Sequence, residues 1–144
     1  MKTNKMIFAA IGYIVVTFVI AAGWHLVLFK ELYDELGIFT RKEPLIHLGV
    51  ISMILQGCVL AYVYPLGYQG GRPVMEGLRF GLLMGIFMGS NAVFAEAGKQ
   101  QVSSLSTWLI LESVYYLLQF GLVGITIGLI YGKTLPYNKA PQNR

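Results

Sequence analysis

Four apolar runs, at about 6–29, 45–64, 77–97 and 104–131, alternate with short polar connections along this chain. Each run reaches the ~20 residues that a helix needs to cross a hydrocarbon core, about twice the length of a barrel strand. Backbone groups in lipid must be satisfied within the segment, so the runs are read as helices. Gly37 and Pro44, then Pro65, Gly70, Gly71 and Pro73, then Gly98 punctuate the connections. Short connections make consecutive helices antiparallel neighbours. The pattern therefore predicts an all-α polytopic membrane protein: one domain, an up-down bundle of four transmembrane helices, with a short polar tail at 133–144. The related stretches ILQG at 54–57 and LLQFG at 117–121 hint at two tandem helical hairpins.

Within the third run Gly77, Gly81, Gly85 and Gly89 recur at four-residue spacing, and Gly124, Gly128 and Gly132 repeat the spacing in the fourth. Each would cost about 1 kcal/mol relative to Ala in a water-soluble helix. In a bilayer, small residues at this spacing let two backbones approach, so both ladders are read as helix-packing faces. Their partner is either in the same chain or on a second copy or partner membrane subunit. Both ladders lie in the half of the bundle nearer the chain ends, which predicts that the third and fourth helices touch there and splay at the other end.

Composition agrees with the spans. Of 144 residues 56% are hydrophobic and 12% charged, and mean hydropathy is +0.62; soluble domains carry about 25% charge. The formal charge of +4 is unaccompanied by any basic helix or nucleic-acid motif, so nucleic acid is not an expected partner, and membrane lipid is. Topology explains the charge better. Seven of the 11 Lys and Arg fall on the side of the two chain ends and the second connection, which places both termini in the cytoplasm of a cell (inner) membrane. Trp24, Tyr33 and Trp108, with Tyr64, Tyr68 and Tyr131 opposite, suit interfacial aromatic belts. The first run continues through Leu28 and is read as an uncleaved span. Cys58, the single cysteine, is read as space-filling.

Polar residues at depth carry the candidate chemistry. Glu112 lies inside the fourth run, where a carboxyl group is either turned inward or functional. At 100° per residue Glu112, Tyr116, Gln119 and Thr126 share a stripe opposite Gly121, Gly124, Gly128 and Gly132. Two readings of Glu112 stand side by side: a carboxyl that is protonated or bonded to Tyr116 or to Ser90 and Asn91, or a proton or cation relay or an anchor for a basic ligand. Ser52 and Gln56 share a face of the second helix, and Gln56 and Gln119 are candidates for a mid-membrane hydrogen bond of ~0.6 kcal/mol. His25 and His47 lack the spacing of a haem or metal pair, and no catalytic constellation is present; no cofactor, metal or enzymatic activity is expected.

The splay implies a crevice rimmed by Trp24, His25, Asn91, Glu96, Trp108 and Glu112, with Tyr116, Gln119 and Gln56 as deeper candidate ligands. The first connection, Lys30 to Pro44, is expected to lie along the interface as an amphipathic helical turn, with a lid over the crevice as the alternative. The stretches AAGWHLVLFKELYDELG, GLRFGLLMGIFMG and GLVGITIGLIYG together resemble a family of small bacterial four-helix membrane proteins grouped under a domain of unknown function. The resemblance implies the fold and the membrane and brings no activity. The residues themselves favour a non-enzymatic bundle that binds or transports a small lipophilic or cationic molecule near Glu112, presumed oligomeric because four helices enclose little space. The alternatives are an accessory subunit of a larger membrane complex and, behind both, a haem- or metal-binding redox protein.

Overall fold

The computed structural model describes residues 3–38, 41 and 43–132; the polar tail at 133–144 lies outside them. The described residues form five helices: α1 (Thr3–Leu28), α2 (Lys30–Leu36), α3 (Ile46–Gly67), α4 (Pro73–Lys99) and α5 (Leu105–Tyr131). All but α2 are long and apolar enough to cross a membrane, as the hydropathy pattern predicts. Large apolar side chains such as Phe8, Val27, Leu66, Phe87 and Ile110 point outward, an inside-out arrangement suited to lipid. The end of the bundle at Thr3, Gly67, Pro73 and Tyr131 is called terminal below, and the opposite end distal.

α1 at its start, α3 at its end and α4 at both ends overrun the expected limits by a few residues, most instructively at Pro65, which sits inside α3. Proline has no N–H, so the carbonyl one turn earlier, on Ala61, loses its helical donor. The Tyr131 hydroxyl donates to that oxygen at 2.6 Å, from a side chain only 1% exposed. The helix continues because the next helix but one, α5, supplies the missing bond. At the same end the Lys5 Nζ donates to the Tyr131 carbonyl at 2.7 Å, a cation at a helix C-terminus.

α4 and α5 form the most extensive helix pair. Their glycine rows face each other: a Cβ placed on Gly77 would lie 2.3 Å from the Gly124 carbonyl oxygen, one on Gly81 2.1 Å from that of Phe120, and one on Gly128 2.3 Å from that of Pro73. Toward the distal end Gly85 and Gly89 abut Tyr116 instead. Tyr116 thus belongs to the seam rather than to the stripe opposite it, because the contact line drifts round α5 as the helices cross. Gly132 is not part of the seam: nothing approaches its Cβ position, and its φ of +59° serves the end of α5. The pair does not splay, since beyond the glycines the Trp108 Nε1 donates to the Val93 carbonyl at 3.0 Å.

α1 packs on α5 and on α3. Ala9, Tyr13, Leu60, Ala61, Tyr64, Phe120, Val123, Ile127 and Tyr131 form the terminal-half core. Gly57 allows α3 to approach, its Cβ position 3.1 Å from the Ala10 carbonyl oxygen. α3 and α4 are consecutive but not close neighbours along their length. They meet at the terminal end, where the Tyr64 and Phe80 rings lie 5.2 Å apart, and leave a wedge of about 220 Å³ above it. Cys58 faces outward from α3 and fills no internal space.

Candidate functional site

Two wide helical turns, Ala22–Leu28 in α1 and Ser90–Ala95 in α4, flank the distal half of the bundle. In each the hydrogen bonds skip an extra residue, as from Phe29 N–H to the Trp24 carbonyl at 3.0 Å. Such turns are rare and mark irregular, often functional, helix segments. One carries Trp24 and His25; the other carries Val93, whose carbonyl holds Trp108. The sequence pattern gave no sign of either.

α2 packs against the first of these turns. Its sequence KELYDEL places Tyr33 and Leu36 one turn apart among charges, and both are 2% exposed. Gly37, at φ +72°, ends the helix, and Ser103 clamps that end, its N–H on the Leu36 carbonyl at 3.1 Å and its hydroxyl on that of Glu35 at 2.9 Å. The charged positions face outward, Lys30 pairing with Asp34 at 2.7 Å. α2 is the amphipathic helical turn expected of the first connection. It tucks two side chains inward, because they have an aromatic cavity to fill.

Glu112 stands at the centre of that cavity, 4% exposed. The Tyr33 hydroxyl donates to its Oε1, and the Trp24 Nε1 donates to the Tyr33 oxygen at 3.1 Å. Trp24, Tyr33, Leu36, Trp108, Leu111 and Tyr115 form one buried cluster, which Tyr33 joins to the carboxyl group. His25 lies against it, its ring 4.6 Å from Tyr33 and 4.5 Å from Tyr115. Burial, then the hydrogen bond and the charge of Glu112, raise the Tyr33 phenol above its ordinary range. A proton on Tyr33 is thus well held, and the carboxyl group has a fixed donor.

The expected open crevice is consequently absent: the space is filled by α2 and by Trp24 and Trp108, which turn inward instead of forming a belt. Of the proposed rim, Trp24, His25, Trp108 and Glu112 come together, whereas Asn91 is exposed and Glu96 pairs with Lys99 at 3.3 Å. Glu112 bonds to Tyr33, not to Tyr116, Asn91 or Ser90. Gln56 does not reach Gln119; it accepts from the Tyr13 hydroxyl and donates to Ser52 at 3.2 Å. Gln119 is 4% exposed, and its side-chain oxygen has no partner among the described residues. Thr126 bonds back to the Leu122 carbonyl of its own helix at 2.9 Å. His47 is exposed, apart from this cluster, and no group of three or more His, Cys, Asp or Glu among the described residues is placed to hold a metal. Sequence reasoning missed Tyr33 and Tyr115 as site residues; the apolar i, i+3 pair Tyr33 and Leu36 was the available signal.

A buried carboxyl group joined to an aromatic cluster is chemically suited to an organic cation, which gains from both the charge and the ring quadrupoles. The Tyr33 hydroxyl occupies the place such a ligand would take. The chain matches no family model, no curated protein and no solved structure.

Proposed function

We propose that this is a non-enzymatic multi-pass membrane protein that binds a small lipophilic cation at Glu112, with α2 as a lid that must lift for the ligand to enter. The observation that carries the reading is the buried carboxyl group bonded to Tyr33, a side chain of a seven-residue helix that packs in one cluster with Trp24, Trp108 and Tyr115. α2 is a single short helix outside the four long spans, and such a segment can open locally while they stay folded. The two tryptophans of the chain both lie in this cluster, so intrinsic fluorescence reports on it directly. Titrating the protein in detergent with tetraphenylphosphonium is expected to change the emission saturably, and Glu112→Gln, folded by circular dichroism, is expected not to respond. No saturable change, or an equal change in the variant, overturns the reading.

The excess of Lys and Arg on the terminal side supports a cytoplasmic location for both termini in the cell (inner) membrane. A membrane-impermeant thiol reagent should then fail to label cysteines added at either end in intact cells.

A second reading, assembly with another copy or a partner subunit, is favoured by α3. Residues 46–52 are exposed, Gly49 and Ser52 among them, and nothing lies within 4 Å of the Gly49 Cβ position. The α4 and α5 glycine faces cover each other, so α3 is the face left for a neighbour. Cys58 projects from it, and bismaleimide treatment in membranes is expected to give a covalent dimer; only monomer would count against a homo-oligomer.

A further inference from the structure

The groove between α3 and α4 changes character along its length. At the terminal end it is lined by Tyr64, Tyr68, Gln69, Glu76, Arg79 and Phe80 around a space of about 140 Å³. Toward mid-depth it becomes the apolar wedge of about 220 Å³ walled by Leu55, Val59, Leu60, Met84, Phe87 and Met88. These are successive stretches of the same two helix faces. On α4 the lining runs through Phe80, Leu83, Met84, Phe87 and Met88, and on α3 through Tyr64, Leu60, Val59 and Leu55, at helical spacing. A polar mouth thus leads into an apolar slot.

From this we infer a binding site for one anionic glycerophospholipid, its phosphate on Arg79 and an acyl chain in the wedge. The guanidinium is exposed and donates to the Gln69 Oε1 at 2.6 Å. It carries five N–H donors in a fork that matches a phosphate, so most remain for a ligand. The neighbouring Glu76 accepts from the Gln69 N–H at 3.3 Å, a bond directed at the connection between the helices. Depth fits as well. From Arg79 to Met88 the helix rises about 14 Å, close to the ~15 Å of one hydrocarbon leaflet. The wedge exceeds the ~150 Å³ in which an apolar cavity holds benzene, and the spans place its open side against acyl chains. A free anion has no use for the slot, and a lipid without phosphate has none for Arg79; phosphatidylcholine has both parts, but its choline ammonium offsets the phosphate charge that Arg79 meets in full on an anionic lipid.

The site is remote from Glu112 and is tested separately. Purified protein in neutral detergent is incubated with phosphatidylglycerol or phosphatidylcholine of equal chain length, and retained lipid is counted by native mass spectrometry. Phosphatidylglycerol is expected to be retained about tenfold better, the ratio that ~1.4 kcal/mol of charge-assisted bonding supplies. Arg79→Gln is expected to erase the preference while keeping weak retention of both lipids. Val59→Trp, which fills the wedge, is expected to lose retention of both, with helix content and melting checked for each variant. Equal retention of the two lipids by the unaltered protein, a preference that survives Arg79→Gln, or thermal stabilisation by inorganic phosphate matching that by phosphatidylglycerol would each overturn the assignment.

Discussion

The bond from Tyr131 to Ala61 makes a demanding prediction. Removing the hydroxyl with Tyr131→Phe leaves the Ala61 carbonyl without its 2.6 Å donor in a buried setting, since Pro65 has no N–H to offer. An orphaned buried polar group costs about 1–3 kcal/mol, and the ring itself stays in place, so that range is the whole expected loss. In a Pro65→Ala background the N–H at position 65 reaches the same carbonyl along the helix. There Tyr131→Phe is expected to cost a few tenths of a kcal/mol, giving a coupling energy of about 1–2 kcal/mol between two residues that serve one acceptor. Reversible unfolding in mixed micelles, followed by circular dichroism for the four members of the cycle, measures it. Equal losses in both backgrounds would refute the claim that the tyrosine substitutes for the helical donor.

Other outcomes follow from the seam and the lid. Gly81→Ala puts a Cβ 2.1 Å from a backbone oxygen, well inside the 3.4 Å of ordinary contact, and should destabilise by at least the upper part of the ~1–3 kcal/mol of overpacking, whereas Gly49→Ala, with open space around it, should be neutral or slightly stabilising in the same assay. Tyr33→Phe deletes the donor to Glu112 and should free α2, seen as faster hydrogen exchange over 30–36 and red-shifted tryptophan emission with the four spans intact. The raised Tyr33 phenol fixes a sign for pH. The undocked form, titrating near pH 10, releases its proton before the docked form, so the contribution of Tyr33 to docking of α2 is constant below about pH 10 and weakens above it. Emission of the unaltered protein should shift there, and that of Tyr33→Phe should not; identical profiles would refute the assignment to Tyr33.

The spans were legible because a run of ~20 apolar residues admits few other readings, and the glycine spacing marked the faces of α4 and α5 that meet. Glu112 stood out for the same reason, as a carboxyl group where hydrocarbon was expected. Its partner did not, because Tyr33 lies 79 residues away and local periodicity carries no information about pairing at that distance. A helical wheel assumes 3.6 residues per turn throughout. The wide turns at Ala22–Leu28 and Ser90–Ala95 break that assumption just where the crevice was drawn. Gln56 illustrates the limit from the other side: Tyr13 lies across the α1 contact and takes the bond expected for Gln119.

The distance in sequence between Tyr33 and Glu112 also orders events during synthesis. α2 leaves the ribosome long before α5 exists, so Tyr33 and Leu36 have no cavity to enter while the first three spans insert. Seating of the stopper must wait for the last helix, and a chain truncated before Leu105 would present two large apolar side chains to quality-control proteases.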